Sequence, residues 1–511
     1  MYRSLPLLTC AVLLWTACNQ ITSPDHPEQS DLLSSHLDTT VHPGDDFFTY
    51  ANGGWLKKNP IPATESGWGI FNLVADENYA QLKKISENAS ASNAAKGTPQ
   101  QQIGDFFFSG MDTTRMEKEG LHDLQALLQA IQQVTKPEDV WNRMTDMQMA
   151  GADPGFNMNV GQDLKNSARY RILLGQGGLG MPNRDYYFNT DERTRHIREL
   201  YPQHIEHILQ QVYGDANKSK QAAQDILNLE TSLATSHKKL EELRDPQANY
   251  HKFSMDELTQ LTPGLNWKHA FQTWGVQPDS VIVGQPEFYK TLQTLLQKTS
   301  IETWKAYLTW NLIHNYAICL PAVYEQEHFE FYQKLLGGAR EQRPRWKRVI
   351  DIQESALGDA MGQLFVKEYF PEKTKQRYDA LVEQIVISFR EHISHLDWMS
   401  DSTREKALHK LNSITRKVGY PAKWKDYRAM DIGKRSFVAN VMESRRWRFQ
   451  YDLNKLAKPV DRTEWDMTPQ TYNAYYNPSN NEIVLPAAIF TAPGYKDEEL
   501  DDAIVDRKSV V

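Results

Sequence analysis

The sequence predicts a mainly α-helical protein that takes up a β-hairpin only near its end. Three observations carry this reading. Apolar residues recur at helical spacing in the middle of the chain, as in Tyr378, Leu381, Val382, Ile385, Val386, Phe389, Ile393 and Leu396. Near residue 465 the pattern changes to short runs rich in Tyr, Ile and Val around a turn of Asn477, Pro478, Ser479 and Asn480. A polar stretch rich in Ser, Pro and Asp, residues 19–44, separates this body from an apolar N-terminus.

The elements follow in order. "MYRSLPLLTCAVLLWTAC" has an early Arg3, an apolar run from Leu5 to Leu14 and small residues before Cys18, the layout of a secretory signal over residues 1–17. "WTAC" also resembles a bacterial lipoprotein box. That makes Cys18 the lipidation site and residues 18–44 a flexible tether. The protein is then exported and held in the cell envelope, facing periplasm or cell surface. The alternative is an ordinary signal peptide with an incidental cysteine. Of the three cysteines, Cys10 leaves with the signal and Cys18 takes lipid, so Cys319 is alone and no disulfide is expected. In "NYAICLPAVY" Cys319 reads as a buried small hydrophobe. No other apolar run is long enough to span a bilayer.

Order is expected from "DDFFTYANGGWLKKNPIPA". There Phe47, Phe48, Tyr50 and Trp55 anchor the chain, Gly53 and Gly54 allow close backbone approach, and Pro60 and Pro62 stop the helix. Ile226, Leu229, Leu233 and Leu240 mark one helix ending before Pro246. "STRE" reads as a capping box that opens a helix after Ser402, with Glu405 at its third position. "QTYNAYYNP" and "NEIVLPAAI" form the hairpin. The closing "DRKSVV" has no capping, periodic or turn logic.

Composition narrows the chemistry. The 511 residues are 40% apolar and 11% aromatic, enough for a large core. The net charge of −8 is spread along the chain, with no basic patch for nucleic acid. The metallopeptidase motif His-Glu-x-x-His puts two imidazoles one helical turn apart with a carboxylate beside them, and none of the 15 histidines completes it. His204 and His207, and His392 and His395, could each share a helix face, but no third ligand is evident. Both pairs read as surface or boundary histidines. No Gly-x-Ser-x-Gly elbow and no phosphate-cradling glycine loop is present. What remains is Asn473. An extended peptide can add to an exposed strand through main-chain hydrogen bonds, and a carboxamide there offers both donor and acceptor to a peptide bond. Taken alone, this is also what an ordinary hairpin looks like.

Several segments together resemble the neprilysin and endothelin-converting enzyme family of zinc metallopeptidases, in its bacterial secreted branch. They are "DDFFTYANGGWLKKNPIP" at 45–62, "LGMPNRDYYF" at 179–188, "LRDPQANY" at 243–250, "PRWKRVID" at 344–351, "LDWMSDSTREKALHKLNSI" at 396–414, "VGYPAKWKDY" at 418–427 and "WDMTPQTYNAYYNPSNNEIVLPAAIF" at 465–490. The resemblance implies a large helical lobe, residues 45–464, capping a thermolysin-like α+β catalytic lobe that begins at 465–505. It implies peptide substrates held by the Asn473 side chain and the Ala474 main chain, with Tyr475 and Tyr476 used for packing. In the family, zinc polarises the scissile carbonyl and activates water.

The departures shape the expectation. Beyond "DEELDDAIV" the family continues into a glycine-containing segment and the helix bearing His-Glu-x-x-His, whereas here residues 506–511 form a non-family tail. The zinc ligands, the catalytic glutamate and the later histidine and arginine then fall outside these residues. The expectation is a truncated chain with no catalytic or metal-binding residue of its own, binding no zinc and inactive alone. An alternative is a lipid-anchored, non-catalytic, peptide-binding remnant. Cysteines found in vertebrate members are replaced by Gly44 and Asn52. Gly67 stands where some members carry an arginine that reads a substrate's terminal carboxylate.

Overall fold

The computed structural model describes residues 34–491, which fall into two compact units that meet in sequence at Pro62 and Ala63. The lipidation site expected at Cys18, the signal segment and the tail 506–511 lie outside the described residues. In the first unit, Asp46 caps helix Phe47–Lys58 by accepting the Thr49 N–H at 2.9 Å. Asp38 takes the Lys57 ammonium at 2.7 Å and lies against this helix. A Cβ on Gly53 would stand 2.6 Å from Asp38 Cβ, and one on Gly54 would stand 2.7 Å from the Leu37 carbonyl oxygen. Close approach is therefore what the two glycines provide. The aromatic anchor is not as expected, since Phe47 and Phe48 are 68% and 65% exposed. The Phe47 ring lies 6.3 Å from that of Tyr50, which is itself only partly buried.

The second unit is mostly helical around one apolar core. Helix starts follow local chemistry: Thr98 caps Pro99–Met111, which has proline in its first turn, and Asp191 caps Glu192–Tyr213, which ends at Gly214 in the left-handed region. At the centre, Trp141 stacks on Phe156 at 5.1 Å and meets Trp267 edge-on at 4.9 Å. Cys319 is buried there, and burial pushes its thiol up to about 11, as a packing residue requires. Among the described residues no helix is long and apolar enough to cross a membrane.

Seven strands among the described residues form two sheets. The first, in the order β1-β2-β4-β3, joins β1 (Phe156–Asp163), β2 (Asn166–Gln176), β3 (His251–Ser254) and β4 (Ser280–Val283); β2 and β4 run parallel, the other pairs antiparallel. The second has the order β5-β7-β6, from β5 (Thr415–Gly419), β6 (Tyr475–Asn477) and β7 (Glu482–Pro486). β6 and β7 are the expected hairpin, with the turn closed by Asn477 Oδ1 accepting the Ser479 N–H at 2.9 Å. The hairpin does not stand alone: β5 adds in parallel to β7. Lys417 of β5 pairs with Glu482 of β7 at 2.8 Å, both buried.

Two boundaries and one burial pattern differ from expectation. The helix after residue 400 is Asp401–Asn412, capped by Ser400 Oγ accepting the Thr403 N–H at 3.3 Å, so Ser402 and Glu405 sit inside it. Two overlapping polar starts compete there, and the one with Asp401 in its first turn wins. The helix holding Ile226, Leu229 and Leu233 ends at Ala234, and Leu240 belongs to a separate turn, Leu240–Leu243, where it is 51% exposed. On helix Glu372–Ser394 the apolar stripe is buried only at Tyr378 and Val382, while Phe389 is 56% exposed.

Candidate functional site

The site is built on the segment that runs into β6. Residues 468–470 press into helix Arg345–Tyr369 where that helix is interrupted at Leu357, whose φ and ψ of −134° and 28° are not helical. Two glycines make the contact possible. A Cβ on Gly358 would meet Thr468 Cγ2 at 2.7 Å, and one on Gly362 would meet Pro469 Cδ at 2.9 Å. Gln470, 1% exposed, fixes the segment: its Nε2 donates to Glu354 Oε2 at 2.6 Å and to the Gly358 carbonyl at 2.9 Å. Its own carbonyl accepts from Asn78 Nδ2 at 2.7 Å. Desolvation, helped by the like charges of Asp351 and Asp359, pushes the Glu354 carboxyl up to about 8.

Asn473 follows this anchor and is exposed. Its N–H donates to the Thr471 carbonyl at 2.9 Å, and its Oδ1 accepts the Ala474 N–H at 2.8 Å. The two expected contact residues are thus brought together and bonded to one another. They lie just before β6 and not within it, because the local turn at Thr471–Asn473 takes the backbone that pairing would need. Tyr475 is half-buried, with its hydroxyl accepting the Asp466 N–H at 2.8 Å, a packing role. Tyr476 is 44% exposed and its hydroxyl reaches Asn481 Oδ1 at 3.0 Å. Among the described residues β6 is an edge strand, bonded only to β7.

The sequence reading missed the neighbours on helix Ile70–Ala91. Phe71 packs its ring 5.4 Å from that of Tyr472, yet stays 53% exposed, and Ile70 is 48% exposed. A pair of exposed apolar residues opening a helix after "GWG" was the available signal. At Gly67 a Cβ would meet nothing within 4 Å, so space does not demand glycine there.

The histidine pairs divide. His392 and His395 are exposed, as expected. His204 is not a surface residue: it is 3% exposed and stacks on Phe331 at 4.8 Å. Its Nδ1 lies 3.0 Å from Glu327 Oε1, and His207 Nδ1 lies 3.3 Å from Oε2 of the same carboxylate. Among the described residues no group of three or more His, Cys, Asp or Glu side chains is arranged to hold a metal ion. The described residues therefore do not fit the zinc of the resemblance.

Comparison with known proteins identifies the family. The profile of peptidase family M13 matches residues 43–421. Endothelin-converting enzyme 1 of Bos taurus is 32% identical over 506 residues, covering 95% of this chain and 66% of that protein. Neprilysin-3 of Drosophila melanogaster is 30% identical, covering 91% and 62%. The zinc metalloprotease Zmp1 of Mycobacterium tuberculosis, solved with an inhibitor, is 37% identical with a TM-score of 0.85, covering 92% of this chain and 71% of that one. PepO of Lactobacillus rhamnosis, at 22% identity and a TM-score of 0.81, shares the fold. The chain spans less than two thirds of the length of the curated relatives it matches, 62% and 66% for these two. It belongs to peptidase family M13, the neprilysin and endothelin-converting enzyme family of zinc metallopeptidases.

Proposed function

We propose that this chain is the substrate-positioning, N-terminal part of an exported zinc metalloendopeptidase that acts on short peptides. Residues 45–464 form its helical cap and 465–505 the start of its catalytic lobe. One observation carries the reading: Asn473 and Ala474 stand at the entry to a strand edge that is unpaired among the described residues, on a segment fixed by Gln470 and two glycine contacts. An extended peptide adds beside β6, its backbone met by the Asn473 carboxamide and the Ala474 main chain, while an apolar side chain rests on Ile70 and Phe71. The Asn473 oxygen is already used by Ala474, so the carboxamide offers its Nδ2 to a substrate carbonyl or turns to exchange partners. Export and anchoring through Cys18 belong to the same proposal.

Residues 1–511 contain no His-Glu-x-x-His, and hydrolysis in this account needs a metal-bearing segment that is not among them. Two measurements test the proposal. Asn473→Ala is expected to weaken binding of an unstructured decapeptide by about 3- to 10-fold, the loss of one hydrogen bond. The 511-residue polypeptide is expected to show no chelator-sensitive peptide cleavage. Unchanged binding by the variant contradicts the site, and chelator-sensitive cleavage contradicts the division of labour.

A further inference from the structure

The segment at 468–470 is seated by two side chains that lie outside it, Asn78 of helix Ile70–Ala91 and Glu354 of helix Arg345–Tyr369. Both act on Gln470, a short step before Asn473. Asn78 Nδ2 donates to the Gln470 carbonyl at 2.7 Å, and Gln470 Nε2 donates to Glu354 Oε2 at 2.6 Å. The chain then turns. The Thr471 N–H reaches the Thr468 carbonyl at 3.0 Å, and the Asn473 N–H reaches the Thr471 carbonyl at 2.9 Å. The place of Asn473 is therefore set from Gln470 through local bonds.

Among the described residues Glu354 has no cation of its own. Its Oε1 is buried without a partner, and its Oε2 meets only a neutral carboxamide. The charged groups packed around it are engaged elsewhere. On its own helix, Asp351 accepts the Tyr79 hydroxyl, and Asp359 pairs with Lys425 at 3.1 Å and takes the Tyr427 hydroxyl at 3.5 Å. Lys347 pairs with Asp76 of helix Ile70–Ala91, and Arg343 holds Glu65. Arg448 is exposed and reaches the Ser355 carbonyl at 3.4 Å. A buried carboxylate with acids for neighbours and no cation is costly, whereas the neutral acid is not. The carboxyl raised to about 8 agrees with this inventory.

We propose that Asn78 and Glu354 are positioning residues: through Gln470 they hold Asn473 and Ala474 where an extended peptide backbone meets them, and Glu354 does so only as the neutral acid. This role rests on the peptide edge proposed above. Once ionised, Glu354 has to be solvated, and water reaches it only if the segment that covers it moves. Peptide affinity therefore falls as pH rises through the range of this carboxyl, because the bound form favours the protonated side chain.

Two readouts keep the positioning apart from the peptide reading. Hydrogen exchange at the Thr471, Asn473 and Ala474 amides, without peptide and corrected for the intrinsic rate, reports on the segment alone. Protection in the parent is expected to fall about tenfold between pH 6 and pH 9 and to stay level in Glu354→Gln, which is neutral throughout. Affinity for an N-acetylated, C-amidated decapeptide without ionisable side chains is expected to drop about tenfold over the same range in the parent and to stay level in Glu354→Gln. Asn78→Ala is expected to weaken binding several-fold at pH 6 and to add little to Asn473→Ala, since both act at one contact. Level protection in the parent, or an equal fall in Glu354→Gln, overturns the role of Glu354. A fall in protection with level affinity overturns its link to the edge, and additive losses overturn the role of Asn78. A decapeptide that binds at no pH overturns the peptide reading, and the exchange result alone then decides whether Glu354 sets the segment.

Discussion

Glu354 shows how a single residue ties the segment leading into β6 to the helical body. It accepts the Gln470 carboxamide, its other oxygen is buried without a partner, and its carboxyl is raised from 4.5 to about 8. The folded state therefore holds a proton that the unfolded chain gives up above pH 4.5. Stability from this group is full below that pH and is lost as pH climbs towards 8. Glu354→Gln keeps the acceptor and removes the titration. The variant is expected to melt higher than the parent at pH 8 and at nearly the same temperature at pH 5; an equal gap at both values contradicts the assignment. None of this was legible from "IQESALGD", because a glutamate in a helix reads as a solvated one until the partner, here 116 residues away, is placed. Asn473 was legible only through resemblance, since its local sequence is that of any hairpin. Phe71 was missed because its meaning lies in its neighbour Tyr472.

At the level of elements, the second sheet depends on a pair that the sequence conceals. Lys417 and Glu482 sit opposite the solvent-facing expectation for charged residues, at 8% and 1% exposure, and Lys417 Nζ also donates to the Glu464 carbonyl at 2.8 Å. Removing one member of a buried ion pair leaves the other uncompensated. Lys417→Met is expected to cost roughly 3–5 kcal/mol, and adding Glu482→Leu to restore most of it. Chemical denaturation of the parent, single and double variants checks this, and additive losses contradict it. The hairpin was readable because turn residues and β-branched residues coincide over a short window. Its third strand was not, since "TRKVG" carries two charges and pairs in parallel across a long connection. The first sheet was missed for a similar reason: β1 and β2 alternate weakly, with asparagine and glycine among their residues. The π-helix Phe329–Leu336 has no signature in "FEFYQKLL" that separates it from an α-helix.

Across the whole molecule, buried titratable groups of two kinds set opposing limits on stability. His237 and His328 are depressed to about 4 by burial, and burial also lowers His204 and His314. Their unfolded forms take up protons below 6.5, so stability rises with pH from about 4 to 6.5. Glu230, held by Tyr187 and Tyr201 and raised by burial to about 7, acts with Glu354 in the opposite sense above 4.5. Carboxyls depressed to about 2 by hydrogen bonds, Asp426 and Asp461, matter only in stronger acid. Four histidines outweigh the two glutamates up to the histidine range, and above it the glutamates still act. The melting temperature is expected to peak at about pH 6.5. A steady rise to pH 8 contradicts this.

The central claim is that a peptide docks by its backbone at the edge of β6 beside Asn473. The most direct measurement compares the affinity of one decapeptide with that of a set carrying a single backbone N-methyl group at each position in turn. A short run of positions is expected to lose about tenfold or more in affinity, with sensitivity alternating along the strand. Equal affinity for every N-methylated peptide would contradict it.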